Sequence, residues 1–155
     1  SLLLAAEATR DIPSQSVRVQ TPIGPADGRR VTDGVVVVPV LRAGLGMLDA
    51  VLELVPGARV GHIGLQRDEM TAIASRYYAK LPPRLAESHV LMIDPMLATG
   101  GSAVDAVSAP EGIAFFFNDT ATAEIYTPVI DQGLNARKYI VPGLGDFGDR
   151  LYGTL

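Results

Sequence analysis

Two runs of consecutive apolar residues stand out in the pattern along the chain. Residues 35–38 are four valines, and residues 90–93 read Val-Leu-Met-Ile, with His89 as the first residue of the predicted strand. A third, less regular run covers residues 60–65. Runs that do not alternate with polar residues and are rich in β-branched side chains are typical of strands buried on both faces of a parallel sheet. The pattern therefore predicts three buried strands.

A helical pattern follows the first of these strands. A short loop with glycines, residues 42–46, leads into apolar positions at helical spacing over residues 47–54, and Pro56 and Gly57 end the run. Strand, glycine loop and helix together make a βα unit. Repeated units of this kind predict an α/β fold with an open, mostly parallel sheet and flanking helices, whose ligands lie at the carboxyl ends of the strands.

The remaining segments are predicted to be peripheral. Residues 1–10 are typical of the end of a helix, which Pro13 terminates. Residues 17–20 alternate before a cluster of turn residues, which predicts a hairpin at a sheet edge. Residues 67–80 are polar and have no apolar period, so we predict a long mobile loop there.

Composition narrows the class of protein. The 155 residues suit one domain, and 48% hydrophobic content with 19% charged residues indicates a chain that folds. A net charge of −4 gives no basic field for nucleic acid or an anionic membrane. Cysteine is absent, and the apolar start of the chain resembles neither a signal peptide nor a membrane span, so we expect a cytoplasmic protein. Because the chain begins at Ser1, we also expect that upstream residues are missing.

Small residues come directly after the third predicted strand. Asp94 ends the strand, and residues 98–102 read Ala-Thr-Gly-Gly-Ser before a helical pattern begins. Small residues let successive backbone N–H groups approach a phosphate, and the following helix would direct its amino end at the same anion. The alternative, a simple turn with Ser102 as helix N-cap, explains the four residues from Thr99 to Ser102 about as well when they are taken alone.

Four collinear segments resemble the uracil phosphoribosyltransferase family. Residues 90–102 (VLMIDPMLATGGS) are similar to its motif for phosphoribosyl diphosphate (PRPP), in the form with Asp-Pro. Residues 38–53 (VPVLRAGLGMLDAVLE), 64–69 (GLQRDE) and 130–154 (IDQGLNARKYIVPGLGDFGDRLYGT) resemble the same family in the same order. The resemblance implies a type I phosphoribosyltransferase fold, with residues 1–155 as a single domain and residues 139–154 as a C-terminal hood that binds uracil.

The resemblance also implies an activity and its ligands. The activity is transfer of ribose 5-phosphate from PRPP to uracil, which gives UMP and diphosphate in pyrimidine salvage. Mg²⁺ is the expected cofactor, bound through PRPP, with Asp146 as the candidate protein contact. GTP is a candidate activator, and the expected assembly is a homo-oligomer. No nucleic-acid or membrane partner is expected.

Site residues are carried over position by position. Without the family resemblance, Arg42 can also be interpreted as a surface arginine at a strand end. Arg67 taken alone is better interpreted as part of a solvated run of charges. The expected PRPP contacts are Arg42, Arg67, Asp94, Pro95, Met96, Leu97, Ala98, Thr99, Gly100, Gly101, Ser102 and Asp146, with Asp94, Asp146 and Arg67 as the catalytic group, and the expected uracil contacts are Ile140, Gly145, Asp146 and Phe147.

Two segments depart from the family pattern. Only residues 103–108 separate the phosphate loop from the next family segment, which begins at Ala109, whereas a parallel crossover needs roughly ten to twelve residues. We therefore predict that a helix–strand unit is deleted. Residues 115–124 (FFFNDTATAE) fit no helical face, and we hypothesise that they are translated sequencing-adapter read-through. These departures keep two alternatives open: a non-catalytic relative that binds PRPP or a nucleotide, and an inactive fragment.

Overall fold

The computed structural model describes residues 1–67, 74–100 and 124–154, except for the side chains of Arg67 and Ala74. The predicted helix after the phosphate loop, Gly101, Ser102 and most of residues 115–124 lie outside the described residues. The helices are α1 Leu2–Ala8, α2 Leu45–Leu54 and α3 Phe147–Tyr152, with a 3₁₀ turn at Leu85–Glu87, and the strands are β1 Ser14–Gln20, β2 Pro25–Val31, β3 Gly34–Leu41, β4 Arg59–Val60, β5 His62–Arg67, β6 Ala74–Lys80, β7 Ser88–Ile93, β8 Gly133–Leu134 and β9 Ile140–Val141.

The main sheet is built around β3. Strand β7 pairs with β3 in parallel on one side, and β4 and β5 pair with it in parallel on the other. Strand β6 is antiparallel to β5 at the outer edge. The predicted open, mostly parallel sheet is therefore confirmed, as is the βα unit formed by β3 and α2.

Both faces of β3 are buried, as its unbroken apolar run predicts. Side chains at alternate positions point to opposite faces of a strand. Val37 accordingly packs on one face beneath α1 and α2, and Val36 and Val38 pack on the other face beside the 3₁₀ turn. The two core clusters are Val36, Val38, Ile63 and Leu85 on one face, and Ala5, Val37, Val51 and Ile93 on the other.

Two peripheral predictions come out differently from the structure. The predicted hairpin forms, but β1 and β2 make a two-stranded sheet of their own and do not join the edge of the main sheet. The prediction of a loop over residues 67–80 is wrong for its second half, which is strand β6. Residues 75–80 are exposed, so no apolar period marks the strand in the sequence.

Removing the Ile63 side chain is expected to destabilise the fold strongly. Ile63 is fully buried between β3 and β6, and Ile→Ala substitutions at such sites cost about 2–5 kcal/mol through lost transfer energy and the cavity left behind. The control is Ile23→Ala, because Ile23 is 99% exposed and should change the free energy of unfolding by less than about 0.5 kcal/mol. Urea denaturation of both variants checks this, and equal midpoints would contradict the burial.

Candidate active site

The carboxyl ends of the central strands bring two loops together. Strand β3 ends at Leu41 and is followed by residues 42–44, and β7 ends at Ile93 and is followed by Asp94. Pro39 and Ile93 are register partners, so both loops leave the same edge of the sheet. This is the edge at which ligands bind in open α/β sheets.

Gly44 sets how closely the two loops approach. A Cβ atom built on Gly44 would lie 2.5 Å from the carbonyl oxygen of Ile93 and 2.7 Å from the backbone nitrogen of Val40. Only glycine fits such an approach of backbone to backbone. The amide of Gly44 donates to the carbonyl of Val40 at 2.8 Å, which turns the chain from β3 into α2. The sequence places a glycine in this loop, but only the structure shows what its missing side chain avoids.

The loop after β7 is organised by its own acid. Asp94 Oδ1 accepts a hydrogen bond from the amide of Met96 at 3.3 Å, a turn in which an Asp side chain mimics the backbone. Gly100 has φ +76, a conformation that glycine adopts readily. Pro95, Met96 and Ala98 are half-buried, and Leu97 and Thr99 are exposed. The described part of the predicted phosphate loop therefore lies at the carboxyl edge, as far as Gly100.

Arg67 is the last residue of β5, which continues past the end of β3. Gly64 of β5 is already the register partner of Leu41, the last residue of β3. The backbone of Arg67 is thus at the same edge of the sheet, three residues beyond the level at which β3 ends. Its side chain lies outside the described part of the chain, so its expected contact with PRPP stays a prediction.

The C-terminal hood packs on the loop of residues 42–44 through two glycines. A Cβ on Gly148 would lie 3.8 Å from Arg42 Cβ and from the amide of Ala43. A Cβ on Gly46, in the first turn of α2, would lie 3.1 Å from Leu151 of α3. The absence of these two side chains lets α3 approach the loop closely.

Polar contacts join the same two segments. Arg42 Nη2 donates to Asp149 Oδ1 at 2.5 Å, and Arg42 Nη1 donates to Thr154 Oγ1 at 3.1 Å. Thr154 Oγ1 in turn donates to Asp149 Oδ1 at 2.6 Å. Asp146 caps α3, because its Oδ1 accepts from the amide of Asp149 at 2.9 Å. The structure therefore brings Arg42 together with the hood.

Asp149 and Thr154 are the residues that the sequence did not single out for this role. Asp149 stands 107 residues from Arg42, so no local spacing relates the two. The one available signal is the clustering of acids at 146 and 149 in a glycine-rich segment. The expected uracil contacts lie on the same segment: Ile140 and Phe147 are half-buried, and Gly145 has φ +76.

A depression of about 460 Å³ lies elsewhere, among Pro13, Asp33, Glu87, Ser88 and His89. It opens at the amino ends of β3 and β7, about 20 Å along the strands from the loops described above. It holds none of the residues carried over from the family. We place the candidate site at the carboxyl edge, because the convergence of loops and charged groups identifies a site better than the size of a hollow.

Acid is expected to loosen the hood from the sheet. Hydrogen bonds from Thr154 and then from Arg42 lower the pKa of the Asp149 carboxyl below its ordinary value of 3.8. A lowered pKa means that this stabilisation is complete above the ordinary value and is lost as the pH falls through the lowered one. We expect the thermal unfolding midpoint of the native chain to exceed that of Asp149→Asn at neutral pH. The difference should be complete above about pH 4 and shrink as the pH falls further, whereas a difference that stays constant with pH would contradict the ion pair.

Comparisons with known proteins now decide the family. The sequence profile of the family described as uracil phosphoribosyltransferase matches residues 1–109 and 104–154. The chain belongs to this family. It is 46% identical over 170 positions to the uracil phosphoribosyltransferase of Halalkalibacterium halodurans, covering 98% of this chain and 81% of the relative. It is 48% identical over 172 positions to that of Clostridium botulinum, covering 99% and 82%.

A solved structure agrees with the family at the level of the fold. The AQ2163 protein of Aquifex aeolicus superposes with a TM-score of 0.85 at 38% sequence identity, covering 97% of this chain and 81% of that one. The family fold that the sequence predicts is thereby confirmed. No helix in the described ranges is long and apolar enough to cross a membrane.

The family match also bears on the predicted deletion. The alignments extend over 170 and 172 positions although this chain has 155 residues, so the relatives carry residues that this chain lacks. The match to the family profile divides at residues 104–109, which is where the sequence places the missing helix–strand unit. Both observations agree with a deletion close to the phosphate loop.

Proposed function

We propose that this chain transfers the 5-phosphoribosyl group of PRPP to N1 of uracil, giving UMP and diphosphate. The observation that supports the proposal most is the joining of Arg42 to the hood. The segment that resembles the uracil site of the family is packed and ion-paired against the loop that resembles its diphosphate site. A reaction between two substrates needs both sites at one place, and the carboxyl edge of the sheet supplies that place.

The chemistry is a displacement at the anomeric carbon of ribose. The bond from that carbon to the diphosphate oxygen breaks, the bond to N1 of uracil forms, and the N1 proton leaves. Arg42, Arg67 and the backbone N–H of Ala43 stabilise the departing diphosphate, because fixed donors act on charge as it develops. The amide of Gly44 is already bonded to Val40 and holds the turn of this loop. No side chain serves as a covalent nucleophile.

Two further groups orient the substrates. Asp94, at the end of β7, accepts hydrogen bonds from the ribose hydroxyls, and residues 95–102 hold the 5-phosphate. The backbone at Ile140 and residues 145–147 pairs with the oxygens and N3–H of uracil. Rigid main-chain groups select uracil over cytosine, since the wrong base leaves a buried polar group unpaired.

Mg²⁺ is proposed to arrive with PRPP. Among the described residues, no group of three or more His, Cys, Asp or Glu side chains could hold a metal. One carboxylate together with the phosphates of PRPP suits Mg²⁺, which is commonly bound by one or two carboxylates and substrate phosphates. When bound, the ion would neutralise charge on the diphosphate. Asp146 is the proposed protein contact, although its Oδ1 already caps α3.

The remaining expectations from the family stay predictions. They are activation by GTP, a homo-oligomeric assembly and a cytoplasmic location. A regulator that binds RNA is disfavoured, because a net charge of −4 supplies no basic face for RNA. The alternative of a chain that binds PRPP but does not catalyse the transfer is favoured only by the deletion near the phosphate loop.

One assay separates these functions. The purified chain is incubated with PRPP, Mg²⁺ and labelled uracil, and UMP is measured; cytosine in place of uracil and omission of Mg²⁺ are the controls. UMP that requires uracil and Mg²⁺ supports the transferase. Thermal stabilisation by PRPP without UMP indicates a binding protein, and neither effect indicates an inactive chain.

A further inference from the structure

Arg42, Asp149 and Thr154 form a closed ring of hydrogen bonds. The guanidinium donates to both partners, and the Thr154 hydroxyl donates to the same carboxylate oxygen that accepts from Arg42. Each member of the ring therefore fixes the other two. The ring connects the loop after β3 to the last turn of the chain.

Close packing beside the ring distinguishes it from an ordinary exposed ion pair. Exposed ion pairs are usually weak, because two flexible side chains must be ordered to form them. Here Gly148 lies against the Cβ of Arg42, and Gly46 lies against Leu151, so the backbones on both sides are already held. The Asp149 side chain is 32% exposed, and that of Arg42 is 45% exposed.

The ring leaves Arg42 able to bind an anion. A guanidinium has five N–H donors. One N–H of Nη1 and one of Nη2 are used within the ring. The other three N–H groups have no hydrogen-bond partner within the part of the chain that the structure describes, and a guanidinium whose orientation is already fixed loses less entropy when it binds a phosphate.

The ring also reaches the segment expected to bind uracil. The amide of Asp149 donates to Asp146, and Asp146 directly precedes Phe147. A shift of Asp149 would therefore move the cap of α3 and the backbone beside it. Arg42 and the uracil segment are connected through one residue.

From this geometry we infer that Asp149 and Thr154 are positioning residues, which orient Arg42 toward an incoming diphosphate and couple that site to the uracil segment. The inference rests on the proposed function, in which Arg42 binds diphosphate. In this arrangement Asp149 and Thr154 act without contacting a substrate themselves. Their effect passes through the guanidinium and through the cap of α3.

Calorimetric titration of the full chain with PRPP and Mg²⁺ tests the positioning. Asp149→Asn is expected to bind PRPP about tenfold more weakly, the effect of losing one charge-assisted hydrogen bond. Thr154→Val should weaken binding in the same direction by a smaller factor. Asp131→Asn removes an exposed carboxylate from residues 130–138, which precede the hood, and should leave the affinity for PRPP unchanged. Tighter binding by Asp149→Asn would mean that the carboxylate chiefly repels the diphosphate, and it would overturn the inference.

A double-mutant cycle separates positioning from a purely structural role. If Asp149 acts through Arg42, the pair Arg42→Ala and Asp149→Asn should bind PRPP no more weakly than Arg42→Ala alone. Independent losses that multiply would refute the inference. Thermal unfolding of each variant verifies that it is folded, and Thr154→Val provides a second route if Asp149→Asn is not.

The KM for uracil measures the coupling between Asp149 and the uracil segment. At saturating PRPP, the KM for uracil should rise severalfold in Asp149→Asn and stay at the native value in Asp131→Asn. A native chain that binds PRPP but makes no UMP defeats the proposed function and leaves the positioning of Arg42 intact. If the native chain makes UMP and Asp149→Asn has the same affinity for PRPP and the same KM for uracil, only the positioning is refuted. Absence of PRPP binding by the native chain overturns both.

Discussion

Replacing Arg42 with alanine is expected to lower kcat/KM for PRPP about a hundredfold. In the proposed mechanism the variant loses an always-charged donor from the site where charge develops on the leaving diphosphate, and removal of one such donor commonly costs two to three orders of magnitude. Arg42 lies on the loop after β3, and two of its five N–H donors are engaged by residues that the structure describes. Steady-state kinetics and calorimetric titration with PRPP measure the effect.

Two other substitutions make the test of Arg42 specific. Arg30→Ala removes an exposed arginine from β2, outside the candidate site, and should leave both kinetics and affinity unchanged. Arg42→Lys keeps the charge but loses the planar fork, so it should recover only part of the activity. Unchanged affinity of Arg42→Ala for PRPP would refute the role of Arg42 at the diphosphate.

Gly44→Ala is expected to lower the free energy of unfolding by about 3 kcal/mol, the upper end of the usual range for overpacking. The added methyl would meet backbone atoms of Ile93 and Val40 at 2.5 to 2.8 Å, and neither strand can move aside without breaking its pairing with the other. Gly44 has φ −60, so the expected cost comes from the clash and not from the conformation of the backbone. Urea denaturation measures the loss.

The matched control is Gly57→Ala, in the turn after α2. A Cβ at Gly57 meets no atom within 4 Å, so this variant should lie within about 0.5 kcal/mol of the native chain. Equal unfolding midpoints for the two variants would show that β3 and β7 do not approach as closely as described. If Gly44→Ala remains folded, its PRPP affinity should also fall, because the loop of Arg42 is displaced.

Much of the fold could be predicted because it is encoded locally. The valines of β3 have no polar alternation, and both faces of that strand are buried. The glycine loop and helical spacing after it predicted α2. Strand β6 was missed for the converse reason: residues 75–80 are exposed, and they form a strand only because their backbone pairs with β5.

Some residues of the candidate site could likewise be predicted from the sequence, and others could not. Arg42, Asp94 and the small residues of the phosphate loop could be named from motifs, since each follows a strand whose end the sequence marks. Asp149 and Thr154 could not be paired with Arg42, because their contact spans 107 and 112 residues and depends on glycines at 46 and 148 that let α3 approach the loop.

The sequence by itself determined the class of sheet, the positions of its buried strands along the chain and the family, because hydrophobic runs and collinear motifs are properties of neighbouring residues. The tertiary structure alone decided which charged groups meet. The ring of Arg42, Asp149 and Thr154 forms because parallel strands end at one edge of the sheet and the chain returns there more than a hundred residues later. A contact of that kind has no local signature, since it depends on where the fold places two distant segments.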